Sequence, residues 1–568
     1  MENEKNLLPN VDSSGLSHPL PGLTKMIFWG VLFLVFGGGV FLRCSHLDWD
    51  GLRSYHPDEM NLSMAVQRID FFQNLNPEFY AYNGFPIYLH RLAGEAMTAL
   101  TGESRWIRDV GSISYLARWI GALCSSLSLV LLYRLGTWAG NSPGGFFALA
   151  LGAFSPGFIQ TAHYGVTENL LLLEILLLTL LTGAMIRSEK PVSFKAWALL
   201  GILGGIALGT KTTAAAMAIF PWVLVLLRYS KGDRPGDLLK GILLGGVLGG
   251  LVFAAVSPYS LLEFRDFLRT MRYEGGIVKG TVQVPYTLQF IDTSPFFWLK
   301  NLLWHQGPAT TVLGISGGIL CILSMLRRKS SPELLPLLLF TGIYALLIWN
   351  WHAKFIRYTL PLAPGLILGA SWLLGALLRT FPKAGNLLAA LALSSTLLWG
   401  SAVGALYFRP STRTAASEWI YKNIPSQSVL LTESWDYRLP VSLAGKTRSY
   451  RWHTVPAPER DDSKKATTLA ALLEKGDYII LASRRNWGNL SRLPEKYPVM
   501  SRYYEALFDG SLGYEEAAVF ASYPGFGSFF VNDENAEETF RVFDHPTVRI
   551  FRKKDHIHQS ALLEVLVP

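Results

Sequence analysis

The chain has 568 residues, half of them hydrophobic, with a mean hydropathy of +0.27. That is too apolar for one ordinary soluble domain and too long for one core, so lipid must act as solvent for part of it. The net charge of +9 comes in short basic clusters between apolar runs, the pattern of topology signals, which argues against a nucleic-acid partner. Three cysteines, Cys44, Cys124 and Cys321, supply neither a disulfide framework nor a zinc spacing.

Residues 1–25 read as a polar cytoplasmic tail, and the first apolar run, which has no small-residue cleavage site, reads as a retained signal anchor. A bilayer crossing takes about 17 to 25 mostly apolar residues. Such runs lie near 26–43, 113–137, 143–160, 167–187, 194–210, 212–228, 239–256, 309–326, 332–350, 359–379 and 384–406. The fold class is therefore a polytopic α-helical membrane protein with about eleven transmembrane helices over residues 26–407. Basic residues set its orientation: Arg187, Lys190 and Lys195, then Arg228, Lys231, Arg234 and Lys240, then Arg327, Arg328 and Lys329, then Arg379 and Lys383 mark the cytoplasmic loops. The opposite face receives the long loops 44–112 and 257–308, the turns at His163–Glu168, Lys211 and Trp349–Tyr358, and everything after residue 407. Every unusual polar residue of the membrane half falls on that face.

The first outer loop carries Ser54-Tyr55-His56-Pro57-Asp58-Glu59. A carboxylate costs roughly 2.5 to 3.5 kcal/mol near the bilayer centre, so a pair at the membrane edge is a functional hypothesis by default. Helical spacing follows over Glu59–Phe72 and Pro86–Leu100, predicting interfacial helices with Tyr80, Tyr82 and Tyr88 at headgroup level. Arg118 sits one turn inside the next span, where it either snorkels or meets an anion. Glu168 opens a Leu-rich run, as a helix cap or a site acid. Lys211 lies in Gly209-Thr210-Lys211-Thr212-Thr213, a snorkelling position and also a good anion cradle. Loop 257–308 reads as an ordered lid, and Trp349–Tyr358 sets His352, Lys354 and Arg357 at an outer edge, where they call for an anion.

Past residue 407 the composition shifts. Helices near Ser417–Asn423 and Ala466–Leu473, with strands at Val429–Leu431, Tyr478–Leu481 and Val548–Phe551, predict a soluble extracytoplasmic α/β or α+β domain over 408–568.

The carboxylate pair, the Lys in a Gly-rich turn and Arg357-Tyr358-Thr359-Leu360-Pro361-Leu362-Ala363-Pro364 resemble the GT-C glycosyltransferases, in the bacterial branch related to protein O-mannosyltransferases and aminoarabinose transferases. Thr412–Pro425, with Trp419-Ile420 and Asn423-Ile424-Pro425, is similar to the segment that follows the membrane domain in many of them. The basic-Pro-Pro segment usual in the first outer loop is here only Gly84-Phe85-Pro86. The resemblance implies a polyprenyl-phosphate sugar donor, an acceptor hydroxyl on a glycan, lipid or protein, and inversion at the anomeric carbon. In these terms Asp58 is the base, Glu59 and Glu168 position it or the acceptor, and Lys211, Lys354, Arg357 and Tyr358 hold the donor phosphate. Arg118 is a further phosphate candidate, and His56 and His163 are candidate orienting residues. That branch usually works without a metal; a divalent cation bridging Asp58 and Glu168 is the alternative. The expected setting is a bacterial cytoplasmic (inner) membrane, with the site and the C-terminal domain facing outward. The competing class is a transporter or lipid flippase with an outer accessory domain, in which intramembrane charges line a pathway.

Overall fold

The structure is a computed structural model describing residues 22–555 and 558–567; residues 1–21 of the predicted tail lie outside the described residues. The described residues divide into two compact units: one within 22–48, 52–275 and 295–404, the other within 49–51, 276–294 and 405–567.

In the first unit, nine helices among the described residues are long and apolar enough to cross a membrane, and Phe194–Thr210 is a shorter apolar helix. One of the nine, Val110–Ala153, turns at Gly140 and Asn141, whose backbone leaves the helical region just ahead of Pro143. With that bend counted as two crossings, each of the eleven predicted segments has its helix, and the protein is an integral membrane protein. The second half of this helix stops at Ala153 and resumes as Pro156–Ala162. Backbone carbonyls freed at such a break find no water in lipid. The buried Arg43 guanidinium accordingly donates to the carbonyls of Gly152 and Ala153, each at 2.7 Å. Elsewhere small residues bring helices together. A Cβ on Gly201 would stand 2.2 Å from the Gly245 carbonyl oxygen, and one on Gly205 would stand 2.4 Å from that of Gly249. Such small-xxx-small faces replace the hydrophobic drive that lipid removes.

Between the first two spans, helices Pro57–Arg68 and Gly84–Thr101 form. They enclose a small core of Leu62, Ala65, Val66, Ile69, Tyr82, Ile87 and Ile113. Tyr82, predicted at headgroup level, belongs to this core and is 7% exposed. This core fixes the Pro57–Arg68 helix and with it the Asp58-Glu59 pair.

In the second unit, a five-stranded sheet has the order β2-β1-β3-β7-β4. Its strands are β1 (Val429–Glu433), β2 (Arg451–Val455), β3 (Tyr478–Leu481), β4 (Tyr514–Phe520) and β7 (Val548–Lys553), while β5 (Gly525–Phe526) and β6 (Phe529–Phe530) form a separate hairpin. β1 lies parallel to β2 and β3, and β7 runs antiparallel between β3 and β4. The predicted strands and helices are all present. The two sheet edges were not predicted, because β2 is mostly exposed and β4 carries Glu515 and Glu516, which pair with Arg552 and Arg549. Charged edges of this kind blunt strand addition and erase the hydrophobic pattern. Part of the predicted lid joins this unit: Leu288 packs with Val429 and Leu431, and Gln289 Nε2 donates to Glu537 Oε1 at 2.6 Å.

Candidate active site

The Pro57–Arg68 helix is started by His56, whose Nδ1 accepts the Asp58 N–H at 3.2 Å, and by Pro57 in its first turn. The chain reaches it through Ser54, held in the left-handed region (φ 53°) by a 2.7 Å bond to Ser114 Oγ. Neighbouring residues on a helix point about 100° apart. The two carboxylates therefore part company.

Glu59 turns into the protein. It takes a bidentate pair from Arg118, Nε to Oε1 at 2.6 Å and Nη2 to Oε2 at 2.8 Å, with both residues wholly buried. The Gly165 N–H adds a 2.7 Å bond to Oε1, and Arg118 Nη1 donates to the Leu47 carbonyl at 2.7 Å. Glu59 and Arg118, both expected at the site, answer each other and brace the first loop against the second span.

Asp58 turns the other way. Its Oδ2 receives Arg357 Nη1 at 2.8 Å and the Tyr82 hydroxyl at 2.8 Å. Burial pushes the Asp58 carboxyl up, but Arg357 and the other donors outweigh it and hold it below the usual carboxylate range. Arg357 and Tyr358 come from the short 3-10 helix Ile356–Leu362, and the guanidinium lies 5.0 Å from the Phe355 ring centroid and 5.5 Å from that of Tyr358. The buried Arg357 Nε has no hydrogen-bond partner among the described residues.

Opposite them, Glu168 begins the helix Glu168–Arg187, and its Oε1 accepts from Lys211 Nζ at 2.8 Å. Lys211 ends the Phe194–Thr210 helix in extended conformation, which aims its ammonium at Glu168 and over the Tyr82 ring at 5.1 Å. Glu168, Lys211, Arg357 and Tyr358 line one cleft, whose other wall is Leu171, Leu172, Ile175 and Leu360. Of the hydroxyls expected to cradle an anion beside Lys211, Thr213 lines the cleft, whereas Thr210 Oγ1 donates to Glu174 Oε1 at 2.6 Å and Thr212 Oγ1 to Met271 Sδ at 3.4 Å.

Three other expected residues take different places. His163 sets Nδ1 against the Ile159 carbonyl at 2.8 Å and Nε2 against that of Ser45 at 2.9 Å, so it ties a turn to the first loop. Lys354 is 4% exposed, its Nζ 3.4 Å from the His352 carbonyl, and it does not line the cleft. His56 stays close to Asp58 but is held by its cap and by the Tyr164 ring at 4.8 Å. Burial lowers its imidazole to about 4, leaving it neutral with Nδ1 as acceptor. Asp58 and Glu168, the carboxylates expected to bridge a divalent cation, each have a side-chain cation at 2.8 Å. Among the described residues, no three His, Cys, Asp or Glu side chains gather as a metal site.

Sequence reasoning passed over three residues. Tyr82 looked like a headgroup anchor, and only its placement in the loop core reveals its bond to Asp58. Glu174, 3% exposed on the same helix as Glu168, was hidden in a Leu-rich run, though an acid inside a span is itself a signal. Glu274, half-buried, is raised by burial and by the nearby Asp58 charge, which places a third carboxyl near the cleft.

Residues 107–260 match the family model described as dolichyl-phosphate-mannose-protein mannosyltransferase. The fold is similar to that of the oligosaccharyltransferase of Archaeoglobus fulgidus in its apo form, with a TM-score of 0.51 at 14% identity over 94% of this chain and 89% of that one. The archaeal enzyme AglB from the same organism, in complex with an inhibitory peptide and a dolichol-phosphate, gives 0.50 at 14% identity over 90% of this chain and 75% of that one. ArnT from Cupriavidus metallidurans, bound to undecaprenyl phosphate, gives 0.46 at 14% identity over 93% and 98%. No curated protein sequence matches the chain. The family match and the fold bear out the resemblance read from the sequence. Residues 107–260 are thus similar to that mannosyltransferase family, and the fold is similar to that of the solved oligosaccharyltransferases.

Proposed function

We propose that the protein moves a sugar from a polyprenyl-phosphate donor to an acceptor hydroxyl on the outer face of a bacterial cytoplasmic membrane, with inversion at the anomeric carbon. The observation that carries this reading is the cleft in which two cations, Lys211 and Arg357, stand beside an apolar wall, with Asp58 attached to one of them. A prenyl phosphate has the matching chemistry: an anionic head on an apolar chain. The dolichol-phosphate held by AglB supports the same ligand class, and the basic clusters of the short loops support the orientation.

In the reaction, the acceptor oxygen forms a bond to the anomeric carbon while the bond from that carbon to the phosphate oxygen breaks. The electron pair leaves on the phosphate, and the hydroxyl proton passes to Asp58. The phosphate needs no general acid, but its growing charge needs neutralising, which Lys211, Arg357 and the Tyr358 hydroxyl supply. Glu168 holds Lys211 in place. The Asp58–Arg357 pair gives this chemistry an order: a donor phosphate competes for Arg357, and as the guanidinium turns to it Asp58 regains basicity. Base catalysis contributes about 10²- to 10⁴-fold. Asp58→Asn should therefore reduce transfer by at least that factor while the purified chain still retains lipid phosphate. Substantial residual turnover removes Asp58 as base.

A further inference from the structure

The β5–β6 hairpin turns through Gly527, in the left-handed region at φ 59°, and Ser528. On this turn Phe526, Phe529 and Phe530 are 40%, 49% and 62% exposed. A hairpin facing water has no use for three phenyl rings; polar turn residues make the same bend. From Tyr523 to Asn532 no residue is charged. The exposed surface is thus aromatic and neutral, and it calls for an apolar occupant.

The chain itself indicates which one. The last spanning helix, Pro382–Gly404, continues directly into the 3-10 turn Ala405–Phe408. β5 packs against that turn. The next residue, Arg409, donates to the Tyr523 carbonyl at 2.9 Å and to the Gly525 carbonyl, clamping the base of the hairpin. Phe408 is itself 46% exposed. A 3-10 turn rises about 2 Å per residue, so only about 10 Å of connecting chain separates the clamp from the last residue of the span. The interfacial layer on each side of a bilayer is about 5 to 8 Å thick. The hairpin is therefore tethered within reach of the lipid headgroups, where aromatic side chains concentrate.

We propose that the Phe526, Phe529 and Phe530 hairpin inserts into the bilayer interface and anchors the soluble unit to the leaflet on its own side of the membrane. The occupant is lipid acyl chain and glycerol backbone. Because the segment is uncharged, insertion depends on buried apolar area and not on anionic headgroups. The proposal stands on the membrane spans alone and is independent of the donor or the reaction.

The test uses the full chain in phosphatidylcholine liposomes doped with a phosphatidylcholine that carries a diazirine near the carbonyl end of its acyl chain. After illumination and digestion, the peptide containing residues 523–532 should carry lipid adducts, in equal yield when phosphatidylglycerol is added or the salt is raised. In the triple variant Phe526→Ser, Phe529→Ser, Phe530→Ser, hairpin adducts should fall about tenfold or more, while adducts on the spanning helices stay unchanged and report an intact fold. Adducts confined to the spanning helices in the unmodified chain, hairpin adducts unchanged in the triple variant, or a yield that requires anionic lipid would each overturn the proposal.

Discussion

Arg118 separates a structural brace from a ligand-binding cation. Its guanidinium is 1% exposed and faces a Glu59 carboxylate that is 0% exposed. Arg118→Met keeps much of the volume but removes the cation facing the Glu59 charge, which keeps the Gly165 N–H at 2.7 Å; Glu59→Gln strands the Arg118 charge instead. Removing one partner of a buried pair costs about 3 to 5 kcal/mol, whereas removing both charges is often near neutral. Each single change should therefore shorten the half-life of the detergent-solubilised protein at a fixed high temperature, the measure suited to a large protein that unfolds irreversibly. The double change Glu59→Met with Arg118→Met should recover much of that loss. Retention of lipid phosphate, measured on protein kept cold and folded, should be unchanged in all three. An Arg118→Met protein with normal heat resistance but weakened lipid-phosphate binding would refute the brace and return Arg118 to the donor site.

Arg357→Gln should move the acid limb of the pH–rate profile upward, because Asp58, held low chiefly against its own burial by Arg357, must stay ionised to act as base; an unmoved limb counts against the pair. In the second unit, burial disfavours the His545 imidazolium, but Asp544 at 2.5 Å and Asp533 at 2.7 Å raise it to about 9. A raised histidine contributes stability that is complete below its unfolded value of 6.5 and is lost as pH rises through about 9. Melting curves of the unmodified chain should therefore fall across that window, and those of His545→Gln should be flat there. A chelator should leave transfer intact, since Asp58 and Glu168 are each neutralised by a side-chain cation; loss of transfer that added Mg²⁺ or Mn²⁺ restores would show that a metal displaces those partners.

The membrane half was readable because its rule is local: a run of apolar residues long enough to cross lipid is visible without knowing its neighbours. The same rule exposed Asp58, Glu168, Lys211 and Arg357, since a charge at a membrane edge is costly wherever the chain goes next. It also selected Arg118 and Glu59, and there it stopped short. Whether a costly charge meets a ligand or another side chain depends on a residue 59 positions away, and no local pattern carries that. Tyr82 escaped for the same reason, because a tyrosine at an interface and one bonded to a carboxylate look alike in sequence. In the second unit the central strands were legible as buried apolar runs, while β2 and β4 were not, because an edge strand faces water and need not alternate.

By itself, then, the sequence determined the partition of this protein between lipid and water and the set of charges that partition leaves to be explained, both sums over neighbouring residues. The tertiary structure alone decided how those charges pair. The phase of the Pro57–Arg68 helix sends Glu59 inward to Arg118 and Asp58 outward to Arg357, and that division, set by packing across distant segments, separates the residue that holds the fold from the one paired with a cation of the cleft.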